Sequence, residues 1–134
     1  MGKYTTIQSH ISAIFASTEW ASEGIAAYPE NFTGDATEFV RINILAARQN
    51  QTHTRNSVSG QLIIDIFYPA GIGPLRSRQI ADTLDKYLAN KSSMDTGGHT
   101  QLQDSTLSYI GIDSVNPSLC RYQYIVPFNY FGDS

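Results

Sequence analysis

Residues 61–90 read QLIIDIFYPAGIGPLRSRQIADTLDKYLAN, and this stretch decides the fold. Its first eight residues alternate, which predicts a strand with one apolar face. That face holds Leu62, Ile64, Ile66 and Tyr68. The segment 69–74 then breaks the extended pattern with two prolines and two glycines, and Pro74 suits the first turn of a helix. Apolar residues recur after it at spacings of three and four, so we expect an amphipathic helix over about 75–90.

The rest of the chain predicts a second helix and several more strands. An apolar stripe indicates a helix from Thr5 to about Thr18. Alternation and turn residues predict strands at 25–28, 39–46, 58–68 and 120–128, with one or two short strands within 100–113. Residues 91–99 are rich in Lys, Ser and Gly and are predicted to be a flexible connection. Pro127 near the end of the last strand suggests a sheet edge or a terminus.

This order of elements favours an α+β domain. With all strands taken as antiparallel, we expect an antiparallel four- to five-stranded sheet with two helices packed on one face. The 134 residues are most simply one domain spanning 1–134.

A polar segment, ARQNQTHTRNS at 47–57, joins the strands 39–46 and 58–68. The two strands are therefore predicted to form an antiparallel hairpin with a long polar tip at about 47–57. Such a tip exceeds the usual length of a hairpin loop, and loops of unusual length are often functional. Its charged or titratable side chains are Arg48, His53 and Arg55.

Composition limits the classes of function. The chain has 41% apolar and 16% charged residues, with eight Tyr and six Phe. Low charge with many aromatic residues fits an aromatic-rich core, and it also fits a subunit that covers part of its surface in an assembly. The formal net charge of −3 argues against a dedicated DNA-binding module.

The strand faces opposite the predicted helices are neither polar nor apolar throughout. They carry Phe39, Arg41, Asn43 and Leu45, then Gln61, Ile63, Asp65 and Phe67, then Arg121, Gln123 and Ile125. A sheet face that contacts a neighbouring subunit would have this intermediate character. Partial cover by a loop or by the C-terminal segment 128–131 would explain it equally well.

No convincing catalytic, cofactor or metal site appears. The turn Gly71-Ile72-Gly73 lacks the rest of a phosphate-binding or dinucleotide-binding motif. His10, His53 and His99 show no ligand spacing, and the lone Cys120 is expected to be a small buried residue. We expect a protein that is not an enzyme and that has no catalytic residues, no cofactor and no metal. There is no apolar run of membrane-spanning length and no signal-peptide core, so synthesis in a cytoplasm, with no membrane partner, is expected.

The order of features resembles the tail-terminator (tail-completion) proteins of long-tailed bacteriophages. The resemblance covers about residues 4–128. It rests on an N-terminal helix followed by YPENF at 28–32, FVRI at 39–42, GQLIIDI at 60–66, YPAGIG at 68–73, a helix with Ala81-Asp82, and RYQYIVP at 121–127.

The resemblance implies a small α+β subunit that closes into a ring, typically a hexamer, on the last layer of the tail tube. The ring would end tube polymerisation and provide the docking surface for the head-tail connector protein. Genomic DNA would pass through the lumen without specific binding. The protein would belong to the virion, at the head-proximal end of the tail, after synthesis in the cytoplasm of the bacterial host.

Within that ring, two sets of residues are expected to form interfaces. The tip 47–57, with Arg48, His53 and Arg55, would contact a neighbouring ring or subunit. The mixed sheet face, with Arg41, Asp65 and Arg121, would line the lumen or a seam between subunits.

Two alternatives remain open. Another head-tail connector component, a neck or head-completion protein, has the same size and composition, and its binding partner would distinguish it. A small ligand-binding domain would need a convergent pocket, and stabilisation by a metabolite would indicate one.

Overall fold

The computed structural model describes residues 3–29, 38–51, 56–71, 73, 75–94, 98–112 and 119–132. In chain order the elements are α1 (Lys3–Phe15), α2 (Thr18–Ala21), β1 (Ala26–Pro29), β2 (Phe39–Gln51), β3 (Asn56–Pro69), α3 (Leu75–Tyr87), β4 (Ser92–Met94), β5 (Gly98–Leu102), β6 (Thr106–Ile112) and β7 (Leu119–Gly132). The strands form a single sheet.

Two long strands, β3 and β7, form the centre of the sheet. They pair antiparallel along their whole length, from Asn56 opposite Gly132 to Pro69 opposite Leu119. On the far side of β3 lies β2, and β1 runs parallel to β2. On the far side of β7, β6 pairs with its first half and β5 with its second half, and β4 lies outside β5.

The mixture of helices with a mostly antiparallel sheet agrees with the α+β prediction, but the predicted strand number and helix arrangement are wrong. The described residues form seven strands instead of four or five, and one pair is parallel. The extra strand β4 lies in the segment predicted to be flexible. The predicted helix 5–18 is two helices, because Ser17 has extended backbone and its Oγ accepts a hydrogen bond from the backbone N–H of Trp20 at 3.2 Å, which starts α2.

One continuous core lies between the helices and one face of the sheet. Along β7 every even-numbered residue from 120 to 130 is buried, and β3 contributes Leu62, Ile64, Ile66 and Tyr68 to the same face. α1 and α3 cover this face with Ile7, Ile11, Ile80 and Leu84, all almost fully buried. Trp20 of α2 joins the helices, since its ring packs edge-on against Phe15 and Tyr87. The buried Cys120 confirms the prediction for that residue.

Two tyrosine hydroxyls of the core, those of Tyr124 and Tyr68, have hydrogen-bond partners. The hydroxyl of Tyr124 donates to Asp85 Oδ1 at 2.6 Å, and Ser105 donates to the same oxygen at 2.6 Å. Burial, together with the bond to Asp85, raises the pKa of Tyr124. Burial, and to a smaller extent the hydrogen bond with Tyr122, raises the pKa of Tyr68 to about 12.

Pro127 lies in the middle of a central strand, so the predicted sheet edge or terminus is wrong. The proline is tolerated in this central strand because the strand beside it is interrupted at the same height. β5 ends at Leu102 and β6 begins at Thr106, and in this gap the N–H of Gln103 donates to the Pro127 carbonyl at 2.9 Å. The N–H and C=O of a strand residue point to the same side. The donor that proline lacks would therefore point into the gap, where no regular strand pairing requires it.

The β2–β3 hairpin is antiparallel, as predicted, but its polar tip is shorter than predicted. Residues 47–51 continue β2 and residues 56–57 belong to β3, so strand pairing extends to Gln51 opposite Asn56. A register shift between Ala46 and Arg48 accommodates the extension. Residues 52–55 lie outside the described part of the chain.

We expect Gly98→Ala to destabilise the protein by about 2 kcal/mol, as overpacking of a core typically does. A Cβ at Gly98 would lie 2.5 Å from the hydroxyl oxygen of Tyr130 and 2.6–2.7 Å from its ring carbons, and this tyrosine is fully buried. Urea unfolding measures the change.

The control is the same substitution in a Tyr130→Leu background. The shorter side chain removes the colliding atoms, so Gly98→Ala should be less destabilising there. An equal loss of stability in both backgrounds would contradict a steric cause.

Candidate functional site

The candidate site is the sheet face opposite the helices, here called the outer face. It consists of the odd-numbered residues of β3 and β7 and of β2 from Phe39 to Leu45, and strand pairing sets its rows. Arg41 stands opposite Asp65, and Asp65 stands opposite Gln123. Phe67 in the adjacent row stands opposite both Phe39 and Arg121. The three residues predicted from the mixed strand pattern, Arg41, Asp65 and Arg121, therefore lie together.

Asp65 is the buried centre of this face. It is only 5% exposed, and its carboxylate is held from two sides. Arg121 donates to Oδ1 through Nη2 at 2.9 Å and through Nε at 3.1 Å, and Asn43 donates to Oδ2 at 3.2 Å. A buried carboxylate requires this combination of opposite charge and hydrogen bonds. The sequence pattern identified Arg121 and Asp65 but gave no role to Asn43, which two-residue periodicity places on the same face.

Arg41 differs from Arg121 because no carboxylate pairs with it within the described residues. Its guanidinium lies over the ring of Phe67 at 5.2 Å and over that of Phe39 at 5.9 Å. The two rings stack on each other with centroids 4.7 Å apart. Its Nε is buried and has no hydrogen-bond acceptor in the described part of the protein. Since Asp65 already neutralises Arg121, the positive charge of Arg41 is the excess charge of this cluster.

Apolar side chains surround the charged cluster. Phe39 and Phe67 form a second small core with Leu119, partly covered by Tyr28 of β1. Leu45 is 52% exposed, and Ile63 and Ile125 are half-buried. The outer face is therefore mixed in character, as predicted. Cover by residues 128–131 does not explain this mixed character. These residues belong to β7 itself and pair with β3.

The residues predicted at the hairpin tip, Arg48, His53 and Arg55, are not seen to join this cluster in the described structure. Arg48 lies in β2, opposite Ser59 and just beyond the register shift, and its side chain is outside the description. His53 and Arg55 lie outside the described residues. The role of the tip thus stays a prediction.

A cavity and a buried histidine lie away from the outer face. Between α1 and the strands β1 and β2 lies a cavity of about 220 Å³, lined by Gln8, Ile11, Ser12, Phe15, Ala16, Ala27 and Ile42. The described residues contain no group of three or more His, Cys, Asp or Glu side chains able to hold a metal ion. His10 is buried and its Nδ1 lies 2.7 Å from Thr100 Oγ1. No described helix combines the length and the apolar character needed to cross a membrane.

Comparison with known proteins yields a fold and no family. The chain matches no protein-family model and no curated protein sequence. A solved structure shares the fold, with a TM-score of 0.66 over 92% of this chain and 94% of that chain at 15% sequence identity. The name of that protein states no function, and at this identity the likeness concerns the fold alone.

We expect Arg121→Met to destabilise the protein by about 2 kcal/mol, because it leaves the Asp65 carboxylate buried with Asn43 as its remaining described side-chain donor. Breaking a fully buried pair destabilises by about 3–5 kcal/mol. A smaller effect is expected here, since the Arg121 side chain is 32% exposed and solvent weakens its interaction. Chemical denaturation gives the free energy of unfolding.

Two further variants show whether the charge is the cause. Asp65→Asn in the Arg121→Met background should recover part of the loss, because a neutral amide needs no countercharge. Lys86→Met breaks the pair that the largely exposed Lys86 forms with Glu23 at 2.9 Å and should destabilise the protein much less than Arg121→Met does. Equal losses for Lys86→Met and Arg121→Met would contradict the role given to Asp65.

Proposed function

We propose that this protein is a structural subunit of a phage virion that forms a ring, caps the tail tube, ends tube polymerisation and provides the docking surface for the head-tail connector. The proposal begins from the resemblance of residues 4–128 to tail-terminator proteins. It is supported by the character of the outer face, which suits contact with protein.

The observation that carries the proposal is the charge of Arg41, which no carboxylate of the described residues pairs with, on a face that also exposes Leu45. Arginine and aromatic residues are enriched where proteins bind one another. Arg41 is stacked on Phe67 and Phe39, and exposed Leu45 lies further along the same strand face.

In this proposal the mechanism is geometric and has no catalytic step. One side of the ring matches the end of the tube, so it binds there, and the other side does not match, so no further tube subunit adds. The outer face lines the lumen or a seam between subunits, and the hairpin end with Arg48, His53 and Arg55 contacts a neighbouring ring or subunit. Genomic DNA passes without specific binding, which is consistent with a formal net charge of −3.

Two other functions are candidates. One shares the surfaces described above, and the other is favoured by the cavity beside α1. A neck or head-completion protein would use the same surfaces on a different partner. A small ligand-binding domain would use the cavity beside α1, where the side chain of Gln8 donates to Ser12 at 2.8 Å above a mostly apolar wall. Its volume of about 220 Å³ is below the usual range of about 300–1,000 Å³ for ligand pockets, so we favour the virion role.

The test is tube capping. Tail-tube protein of the same phage is polymerised with and without this protein, and tube lengths and ends are measured by electron microscopy while light scattering gives the mass of the free protein. We expect shorter tubes with a ring at one end. Unchanged tube lengths together with binding to purified neck components would favour the neck protein, and stabilisation by a metabolite would favour the ligand-binding domain.

We further expect Arg41→Gln to weaken the protein–protein contact made by the outer face about tenfold. A charge-assisted hydrogen bond contributes about 1.5–3 kcal/mol, and 1.4 kcal/mol corresponds to a factor of ten. The readout is the concentration needed to cap half of the tubes. Arg78→Gln on the exposed side of α3 is the matched control and should leave this concentration unchanged. Equal effects of the two substitutions would exclude the outer face from the contact.

A further inference from the structure

The cavity beside α1 lies on the helix side of the sheet and arises from small side chains on both of its walls. One wall is a single face of the helix, because its residues recur at spacings of three and four. They are Gln8, Ile11, Ser12, Phe15 and Ala16. The other wall is formed by Ala27 of β1 and Ile42 of β2, both half-buried. Alanine at 16 and at 27 leaves a space that longer aliphatic side chains would fill.

The volume of this cavity fits one small ring. It is about 220 Å³, which is below the usual lower limit of about 300 Å³ for the pockets of drug-sized ligands. An engineered cavity of about 150 Å³ in another protein, with an aliphatic and aromatic lining, binds benzene. The space beside α1 is larger than that and can hold a six-membered ring with one small substituent.

The surroundings of the cavity favour a neutral ligand. None of its lining residues is charged, and Lys3 is the only Lys, Arg, Asp or Glu of α1. The strand β1, AAYP, has no charged residue. Arg41, next to Ile42 in β2, belongs to the outer face, where its guanidinium lies over Phe67. A charged ligand would therefore lose water without meeting an opposite charge among the described residues, and that is costly.

The polar groups of the cavity lie at its mouth. The side chains of Gln8 and Ser12 are exposed, and the Gln8 amide donates to the Ser12 hydroxyl oxygen at 2.8 Å. This bond uses one amide hydrogen and one lone pair of the hydroxyl, so the amide oxygen and the hydroxyl hydrogen can each bond a ligand. Ile11 is buried and Phe15 half-buried, so the apolar part of a ligand would lie inward, beside them.

From its volume, its lack of charge and its polar mouth, we infer that this cavity binds a small neutral molecule with one apolar ring and one hydroxyl group, of the phenol class. The ring lies between α1 and the strands β1 and β2, and the hydroxyl bonds to Gln8 and Ser12. Because the ligand contacts the helix on one side and the sheet on the other, it stabilises the folded protein. The site lies on the opposite side of the sheet from the outer face, and the inference goes beyond the proposed function without depending on it.

The first test compares phenol, which is neutral at neutral pH, with benzoate, which is charged. Isothermal titration calorimetry of the full chain should show saturable binding of phenol to one site and at least tenfold weaker binding of benzoate. Thermal unfolding should shift to higher temperature with phenol, and NMR amide shifts should change most in α1, β1 and β2. Absence of saturable phenol binding, or equal affinities for the two compounds, would overturn the inference.

The second test fills the cavity. Ala27→Leu should weaken phenol binding at least tenfold, because the added side-chain atoms occupy the space of the ring. Ala16→Leu fills it from the helix side and, since Ala16 is exposed, provides a second variant if Ala27→Leu folds poorly by circular dichroism. Ala21→Leu in α2 is the matched control, because Ala21 is exposed and does not line the cavity. Equal affinity for phenol in the filled variants and the control would exclude this cavity as the site.

The third test concerns the polar mouth. Benzene, which lacks the hydroxyl, should bind about fivefold more weakly than phenol, since an ordinary hydrogen bond contributes about 1 kcal/mol. The double variant Gln8→Met, Ser12→Ala removes both polar groups with little change in size, so phenol and benzene should bind to it equally. A preference for phenol that persists in the double variant would refute the placement of the hydroxyl.

The outcome is separate from that of the tube experiment. A protein that caps tubes and does not bind phenol would support the proposed function and refute the inference. A protein that binds phenol in this cavity and leaves tube growth unchanged would support the inference and refute the proposed function.

Discussion

The pairing of β3 with β7 is the constraint on which the rest of the structure depends. Fourteen residues of each strand pair without a register shift, so the assignment of every side chain to one of two faces follows from a single alignment. A slip by one residue would move Tyr124, Val126 and Phe128 out of the core and bring Arg121 and Gln123 into it. The burial of large side chains under α1 and α3 opposes such a slip. The same alignment places Arg121 next to Asp65, so the core and the polar cluster are two results of one register.

The Asp65 cluster adds specificity more readily than stability. Removing two charges from water is unfavourable, and an apolar pair of similar shape is often at least as stable. The cluster does, however, require Arg121, Asn43 and Asp65 to meet, and this occurs only when three strands are in their native alignment. We therefore regard it as a register-specific interaction that also gives the outer face its charge. It leaves Arg41 without a carboxylate partner among the described residues, because Asp65 accepts its hydrogen bonds from Arg121 and Asn43.

Much of this arrangement could be predicted from the sequence, and the limits have physical reasons. Alternation located β2, β3 and β7 and placed Arg41, Asp65 and Arg121 on one face, because a strand has a period of two residues whatever its partners. The sequence is less informative about which strands pair with one another. The parallel β1, the short β4 and the division between β5 and β6 depend on contacts distant in sequence. The polar stretch 47–51 lacks an apolar pattern, yet it continues β2 because β3 provides hydrogen-bond partners up to Asn56. Pro127 was misinterpreted for a similar reason, since its tolerance depends on a gap in a different strand.

The distribution of charge separates two kinds of surface on this small sheet. Charged residues lie on the outer face, near its centre, whereas residues 43–46 of β2, beyond the end of β1, and residues 106–109 of β6, which pairs with β7 alone in the described structure, have none. Uncharged edges allow strand addition, which provides affinity through the backbone and discriminates weakly among partners. A charged face provides selectivity, because an unmatched arginine disfavours the wrong partner. On this sheet the two kinds of surface lie on different parts, so a contact at an uncharged edge and a contact on the charged outer face would not exclude each other.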